Sequence, residues 1–147
     1  MKNDLISSKD KVTYERWTNK AKNAQTEIGR VFLNFALILK EIKDKGIYST
    51  KYNNFKDYMV NEINLDWRTG YDYIKIADFV QQNIEIITKE KAISLGHKKL
   101  KLLSQKLSKL ETKFRKAILT KINEEDSYII IKEKLENSIK KISQTKQ

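Results

Sequence analysis

The sequence predicts an all-α protein, and three observations support this fold class. The 147 residues contain no proline and only four glycines, so little along the chain interrupts a helix. Apolar residues recur at intervals of three and four in several segments. Residues that typically cap or end helices stand between these segments. The expected architecture is a long N-terminal helix, a central helix-turn-helix and basic C-terminal helices.

The first helix is predicted from about Thr13 to Asp44, after a polar tail (1–12) that we expect to be disordered. Gly46 is a natural stop signal just beyond its end. Lys43, near that end, suits the helix dipole. The predicted apolar stripe of this helix consists of Ile28, Val31, Phe32, Phe35, Leu39 and Ile42.

The helix-turn-helix is predicted over residues 55–79. The apolar stripe of its first helix is Phe55, Tyr58, Met59 and Ile63, and that of its second helix is Gly70, Tyr73, Ile74 and Ala77. Asn64 between them tolerates the left-handed conformation that such a turn usually requires. Leu65 can fill the angle between the helices, and Asp66 is a good N-cap for the second. Asn54 can cap the first.

A further short helix is predicted from Ile84 to Leu95, with Gly96 ending it. The next segment carries an a/d pattern of about two and a half heptads, formed by Leu100, Leu103, Leu107, Leu110, Phe114 and Ala117. This stripe either packs on the first long helix or forms a dimer seam. Ser104 and Ser108 could also divide it into two helices.

The last helix is predicted to begin near Asn123, with three acids that favour a helix start in its first turn: Glu124, Glu125 and Asp126. We interpret these acids as capping groups and not as a metal or catalytic cluster. The predicted organisation is therefore a helical domain at 13–96, a basic helical extension with a role in dimerisation at 97–142, and a disordered tail at 143–147.

The formal net charge of +11 suits a polyanionic partner, with nucleic acid first and an anionic membrane surface second. A compositional bias toward Lys, Ile and Asn could raise the charge without selecting any partner. No apolar run approaches the roughly 20 residues that span a bilayer, and the N-terminus lacks the apolar core of a signal peptide. We therefore expect a cytoplasmic protein without a membrane partner.

The positive charge lies mostly outside the helix-turn-helix. Residues 51–83 hold four basic and five acidic side chains, whereas residues 84–147 hold sixteen basic and eight acidic ones. Phosphate neutralisation supplies much of the affinity for DNA. If the helix-turn-helix reads bases, the basic helices must therefore hold the phosphate backbone, and we expect Lys98, Lys99 and Lys101 to take part.

The second helix of a helix-turn-helix lies in the major groove, with its N-terminal residues nearest the bases. With Asp66 as the cap, the outward positions are Trp67, Arg68, Thr69, Tyr71, Asp72 and Lys75. Arg68 can make the bidentate contact to guanine. Asp72 can accept from cytosine or orient Arg68, and Lys75 is placed for a phosphate. Trp67 either stacks on DNA or covers the edge of the core.

Catalysis has little support in the sequence. There is one histidine, His97, and no cysteine, so thiolate chemistry and zinc binding through cysteine are excluded. No glycine-rich phosphate loop and no separated carboxylate pair is present. We expect no enzyme activity, no metal and no cofactor.

The order of features resembles the ParB-like replication/partitioning proteins of spirochaete plasmids. The resemblance rests on KVTYERW (11–17), LKEIKDKGIY (39–48) and YNNFKDYMVNEINLDWRTGYDYIKIA (52–77). It implies a homodimer that binds double-stranded DNA at a plasmid site, together with repression of nearby genes, a partition ATPase as partner and association with the nucleoid or plasmid. It carries DNA contacts to Arg68, Thr69, Tyr71 and Lys75. The nucleotide-binding box of typical ParB proteins is missing, so nucleotide-gated sliding is not implied.

Two functional hypotheses follow. The first is a sequence-specific DNA-binding protein in plasmid partition or transcription regulation. The alternative is a non-catalytic adaptor that binds nucleic acid non-specifically through its basic C-terminal helices and docks a protein through the helix-turn-helix.

Overall fold

All regular structure in the computed structural model, which describes residues 7–145, is helical. The helices are α1 (Ser8–Asp44), α2 (Phe55–Tyr58), α3 (Trp67–Gln82), α4 (Lys89–Leu107), α5 (Thr112–Lys121) and α6 (Tyr128–Thr145). A 3₁₀-helix at Ile47–Thr50 precedes α2, and a π-helical turn at Met59–Ile63 follows it. The predicted all-α fold class with a long N-terminal helix is confirmed.

Helix α1 begins five residues before the predicted start because Ser7 caps it. The Ser7 hydroxyl accepts a hydrogen bond from the Asp10 amide at 3.2 Å, which satisfies one of the free amides at a helix start. Residues 8–12 of the predicted tail are therefore helical, and residues 1–6 lie outside the described range. At the other end Asp44 is the last helical residue as predicted, and Gly46 is left-handed with φ 66°.

The buried face of α1 matches the predicted stripe only in part: Leu39 is buried and Phe32, Phe35 and Ile42 are half-buried, as predicted. Ile28 and Val31 are 69% and 66% exposed, whereas the buried residues are Gly29, Leu33, Ala36 and Leu39. The periodicity was correct, but small residues on the neighbouring face bring α1 closest to its partners. A Cβ on Gly29 would lie 2.4 Å from the Ile93 carbonyl oxygen, so the missing side chain is what permits the close approach of α1 to α4.

Two clusters of buried side chains form the core. The small cluster lies under the helix-turn-helix and consists of Leu39, Phe55, Met59 and Ile74, bordered by half-buried aromatic residues. The large cluster joins α1, α3, α4, α5 and α6, and its fully buried members include Leu33, Ile76, Leu103, Leu119, Ile131 and Leu135. The predicted boundary between residues 96 and 97 thus lies inside one continuous core.

Helix α4 starts later than the predicted helix at Ile84. Residues 83–87 form turns, and the Thr88 hydroxyl caps the helix by accepting from the Lys91 amide at 3.2 Å. Gly96 then breaks the helix with φ 81° and ψ 174°. A side chain rarely adopts this backbone conformation, so glycine allows α4 to change direction there.

The predicted heptad stripe does not continue as one helix. Its first three leucines are buried in the large cluster, and the chain leaves α4 at Ser108 and starts α5 at Thr112. Leu110 and Phe114 are half-buried, and Ala117 is exposed. Of the two readings left open by the sequence, packing within the chain therefore accounts for Leu100, Leu103 and Leu107.

The prediction that α6 begins near Asn123 was wrong, because α6 starts at Tyr128. Asp126 instead folds back in a turn, where its carboxylate accepts from the Asn123 amide at 2.9 Å. Ser127 supplies the helix cap, with its hydroxyl 3.3 Å from the Ile130 amide. The helix extends to Thr145, so 143–145 of the predicted tail are helical, and residues 146–147 lie outside the described range.

We expect Gly29→Ala to destabilise the protein, although alanine favours an isolated helix by about 1 kcal/mol. The new methyl group would collide with the backbone of Ile93, and such overpacking typically costs about 1–3 kcal/mol. Urea unfolding measures the difference. Asn23→Ala, at an exposed position of the same helix, is the matched control and should be neutral or slightly stabilising. A Gly29→Ala protein as stable as the wild type would contradict the close approach.

Candidate nucleic-acid interface

The turn between α2 and α3 is built from local backbone chemistry. Asn54 caps α2 by accepting from the Asp57 amide at 2.8 Å, as predicted. After Tyr58 the helix widens into the π-helical turn, and Asn64 adopts the left-handed conformation with φ 57° and ψ 42°. The Leu65 amide then donates to the Met59 carbonyl at 3.0 Å. Asn64 therefore reverses the chain where the sequence predicted it.

Helix α3 is fixed against α2 by a second close approach. A Cβ on Gly70 would lie 2.1 Å from the Met59 sulfur and 3.4 Å from the Leu65 side chain. The missing side chain at Gly70 thus leaves room for the Met59 side chain of the π-helical turn against α3. The Asp66 carboxylate caps α3 by accepting from the Arg68 amide at 2.8 Å. Phe55, Met59, Gly70 and Ile74 of the two predicted apolar stripes are buried, whereas Tyr73 packs against Phe32 and Phe35 of α1.

The exposed face of α3 carries two cations two helical turns apart. Arg68 and Lys75 are exposed, while Thr69 and Asp72 are half-buried. The Arg68 guanidinium lies 5.2 Å from the centre of the Trp67 ring. Cation–π contacts of this kind restrain a flexible side chain. Arg68 is thus held at the N-terminal end of α3 with its guanidinium in solvent.

The predicted outward residues Trp67 and Tyr71 are only half-exposed. Both pack against the small cluster, and the Tyr71 ring lies 5.9 Å from Phe55 and 6.2 Å from Trp67. Of the two roles considered for Trp67, covering the core edge is the one that its packing supports. One edge of each ring remains at the surface.

Lys56 belongs to the same surface although sequence analysis did not select it. Its ammonium group lies 4.7 Å from the centre of the Trp67 ring. Its position in the sequence was the available clue. Lys56 is the second residue of α2, and this end of α2 approaches the start of α3. Lys56 and Arg68 together place two positive groups around Trp67.

The basic segment of α4 lies beside α3. The Lys101 ammonium is 3.9 Å from the Asp72 carboxylate, so Asp72 contacts this cation and the considered pairing with Arg68 is not seen. Lys98 and Lys101 border one shallow groove together with Gln105 and Tyr128. This contact connects the predicted reading helix to the most basic part of the chain.

Lys99 points away from this groove. The Lys134 ammonium holds the pKa of Asp126 below its usual range, and the charge of Lys99 adds a weaker attraction. Lys99 is half-buried, whereas Lys98 is exposed. The three selected lysines therefore have different neighbours: Lys101 lies toward α3, whereas Lys98 and Lys99 both border a groove with Tyr128 of α6.

His97 joins α1, α3 and α4 directly after the break at Gly96. Its ring stacks on Phe32 at 4.5 Å and meets the edge of Tyr73 at 5.3 Å. Burial lowers the pKa of His97 below its usual value of 6.5, and the charge of Lys101 lowers it further. The imidazole is therefore a neutral packing group that positions the α4 lysines next to α3.

Comparisons of the chain with protein-family models, with curated proteins and with solved structures find no match. Within residues 7–145, no group of three histidine or acidic side chains is arranged to hold a metal ion. No helix in the same range is long and apolar enough to cross a bilayer.

The stacking of His97 predicts a pH-dependent stability. Because the pKa is lowered in the folded state, protonation favours the unfolded chain, and stability should fall as the pH drops below the usual value of 6.5. We expect a lower melting temperature at pH 5.5 than at pH 7.5. His97→Phe keeps the aromatic stack and should show a flatter profile over this interval. An identical pH dependence in both proteins would contradict the assignment.

Proposed function

We propose that the protein binds double-stranded DNA sequence-specifically by placing α3 in the major groove. The observation that carries the proposal is the contact between Asp72 of α3 and Lys101 of α4, at 3.9 Å. The helix-turn-helix is close to neutral, so it needs a neighbouring source of positive charge to hold the phosphate backbone. The contact brings the basic part of α4 beside α3, which supports the proposal.

Specificity is assigned to Arg68. Its side chain is exposed in the first turn of α3, the part of a recognition helix that is nearest the base edges. Arginine makes bidentate contacts to guanine O6 and N7, and each such contact discriminates by about 1–3 kcal/mol. The adjacent Trp67 ring limits the orientations of the guanidinium, which lowers the entropic cost of that contact.

Affinity is assigned to the cations around the exposed face of α3. Lys75 lies two turns after Arg68, Lys56 lies across Trp67, and Lys98 and Lys101 lie on the α4 side. Their distribution on both sides of α3 suits the two phosphate strands that border a major groove. Thr69 can donate to a phosphate from the first turn.

The resemblance to ParB-like proteins of spirochaete plasmids supports a role in plasmid partition, with repression of nearby genes as an associated activity. Under this proposal the protein acts in the cytoplasm on the nucleoid or plasmid, and a partition ATPase is a candidate partner. The helix-turn-helix sequence at 52–77 carries most of the resemblance.

A non-catalytic adaptor is the second candidate. An apolar groove of about 520 Å³ lies beside Leu65, at the turn of the helix-turn-helix, and such a surface favours a protein contact there. In this case the basic helices bind nucleic acid without sequence preference. Selection of a binding site from a randomised duplex pool separates the two, because only the first candidate enriches a defined sequence.

We expect Arg68→Ala to weaken binding to the selected site by about 1–3 kcal/mol and to change binding to random DNA much less. Lys75→Ala should weaken binding to both DNAs equally. It should also reduce the slope of log affinity against log salt by the amount expected for the loss of about one phosphate contact. Titrations at several salt concentrations measure both effects.

Lys141→Ala is the charge-matched control, since Lys141 is exposed on α6, away from the helix-turn-helix in sequence. This variant should retain the specificity of the wild type. Equal losses on selected and random DNA for Arg68→Ala would exclude Arg68 as the specifying contact. Failure to enrich any sequence would exclude the first candidate.

A further inference from the structure

The first part of α1 projects from the rest of the protein as an exposed helix. Residues 8–25, which we name the arm, are all exposed except the half-buried Thr18. At 1.5 Å per residue the arm is about 27 Å long. It carries large apolar side chains in solvent, with Tyr14 70% and Trp17 59% exposed. Isolated helices of this length are marginal in water without a packing partner.

The arm and the following turns of α1 carry a regular heptad pattern. We name as the arm seam the eight positions that alternate at three and four residues: Tyr14, Trp17, Ala21, Ala24, Ile28, Val31, Phe35 and Ile38. They cover about three and a half heptads, a length typical of coiled coils. Seven of the eight are exposed, and Phe35 is half-buried. The seam includes Ile28 and Val31, which the chain's own core leaves uncovered.

We propose that a second copy of this chain covers the arm seam in an antiparallel coiled coil. Antiparallel helices pair a with d positions, so one register sets Trp17 of each copy against Ile28 of the other and Tyr14 against Val31. Ala21 then meets Ala24 at the centre, where small side chains allow close approach. Layers of large side chains thus lie on both sides of a small central layer, so the two helices approach most closely at the two-fold axis.

Charge selects this register over its neighbours. The flanking positions bring Lys20 of each copy beside Glu27 of the other. A shift of one heptad either way sets Glu27 against Glu27 or Lys20 against Lys20. A parallel pair gives neither residue an opposite charge. Flanking charges of this kind determine orientation in coiled coils. Both side chains are exposed, although Lys20 lies 4.4 Å from the centre of the Trp17 ring and Glu27 lies 3.5 Å from Arg30 of its own helix.

The apolar groove beside the helix-turn-helix receives the tip of the second arm. Its walls are Ile28, Val31 and Phe35 of α1 together with Leu65 and Tyr73. In the proposed register Ile28 and Val31 meet Trp17 and Tyr14 of the second copy, and Phe35 lies opposite Asp10. The groove, of about 520 Å³, is thus the receptor for two aromatic side chains.

The area is sufficient for a stable dimer. Because Tyr14 is 70% and Trp17 59% exposed, the two tyrosines and two tryptophans alone would bury about 400–650 Å² if fully covered. The isoleucines, valines and groove walls bring the total into the range of about 1,200–2,000 Å² that is usual for specific interfaces.

The geometry also connects the dimer to DNA, and this consequence, unlike the dimer itself, rests on the proposed function. The two-fold axis passes between residues 22 and 23, about nine residues from Phe32, where α1 meets the helix-turn-helix. The two heads therefore lie roughly 28 Å apart along the arms, close to the 34–36 Å between half-sites one DNA turn apart.

Analytical ultracentrifugation without DNA tests the dimer. We expect the wild type to sediment at twice the 17.4 kDa of one chain, and Trp17→Lys to raise the dissociation constant at least about 100-fold. The matched control is Val12→Lys, because Val12 is a 64% exposed residue of the same arm that lies off the seam. Circular dichroism checks that both variants remain helical. A monomeric wild type at 100 micromolar, or a Trp17→Lys protein that dimerises as tightly as the wild type, would overturn the proposal.

Cross-linking tests the orientation, since the chain has no cysteine of its own. A mixture of Tyr14→Cys and Val31→Cys proteins should form a disulfide-linked heterodimer under oxidation. Neither variant alone should cross-link, because like positions lie about 25 Å apart along the helices in the proposed register. Efficient cross-linking of Val31→Cys alone would show a parallel pair and overturn the assignment. Neither experiment uses DNA, so its outcome is independent of the proposed function.

Discussion

The close contact of α1 with α4 at Gly29 is the constraint on which the rest of the structure depends. A Cβ at this position would lie 2.4 Å from the Ile93 carbonyl oxygen. The backbones of the two helices therefore come into contact where Gly29 has no side chain. One turn along α1, Phe32 stacks on His97 at 4.5 Å. The break at Gly96 lies between these two contacts in α4 and turns the rest of that helix across α3. One crossing thus determines where the basic helix lies.

Under the proposed function, this placement gives the nearly neutral helix-turn-helix a neighbouring source of positive charge. The helix-turn-helix is stabilised by its own small core under α3 and by the cap at Asp66, and it can present Arg68 without concentrating positive charge on itself. Lys101 approaches Asp72 from α4, so tertiary packing brings the positive charge of α4 to the side of α3 that the proposal turns toward DNA. Because His97 packs as a neutral ring between Phe32 and Tyr73, the same contact that stabilises the fold also positions these cations.

Features of the fold that depend on neighbouring residues could be predicted from the sequence. Features that depend on contacts with distant parts of the chain could not. Asn64, Asp66 and Gly70 each act through a few neighbouring atoms, and their predicted roles are confirmed. Periodicity showed that α1 is amphipathic but not which apolar residues its own chain covers, so Ile28 was assigned to the wrong environment. The start of α6 was misplaced because three acids suit a helix start as well as a turn. The contact between Lys101 and Asp72 joins residues 29 positions apart, and no spacing rule predicts it.

The central claim is that the α4 lysines and α3 engage the same DNA. The salt dependence of DNA affinity tests it most directly, in a Lys98→Gln, Lys101→Gln protein and in a matched Lys140→Gln, Lys141→Gln protein altered on α6. Each lost phosphate contact lowers the slope of log affinity against log salt by about 0.9. In the α4 variant we expect the slope to fall by the amount that corresponds to the loss of about two phosphate contacts. In the α6 variant we expect the slope of the wild type. A wild-type slope in the α4 variant, with a reduced slope in the α6 variant, would contradict it.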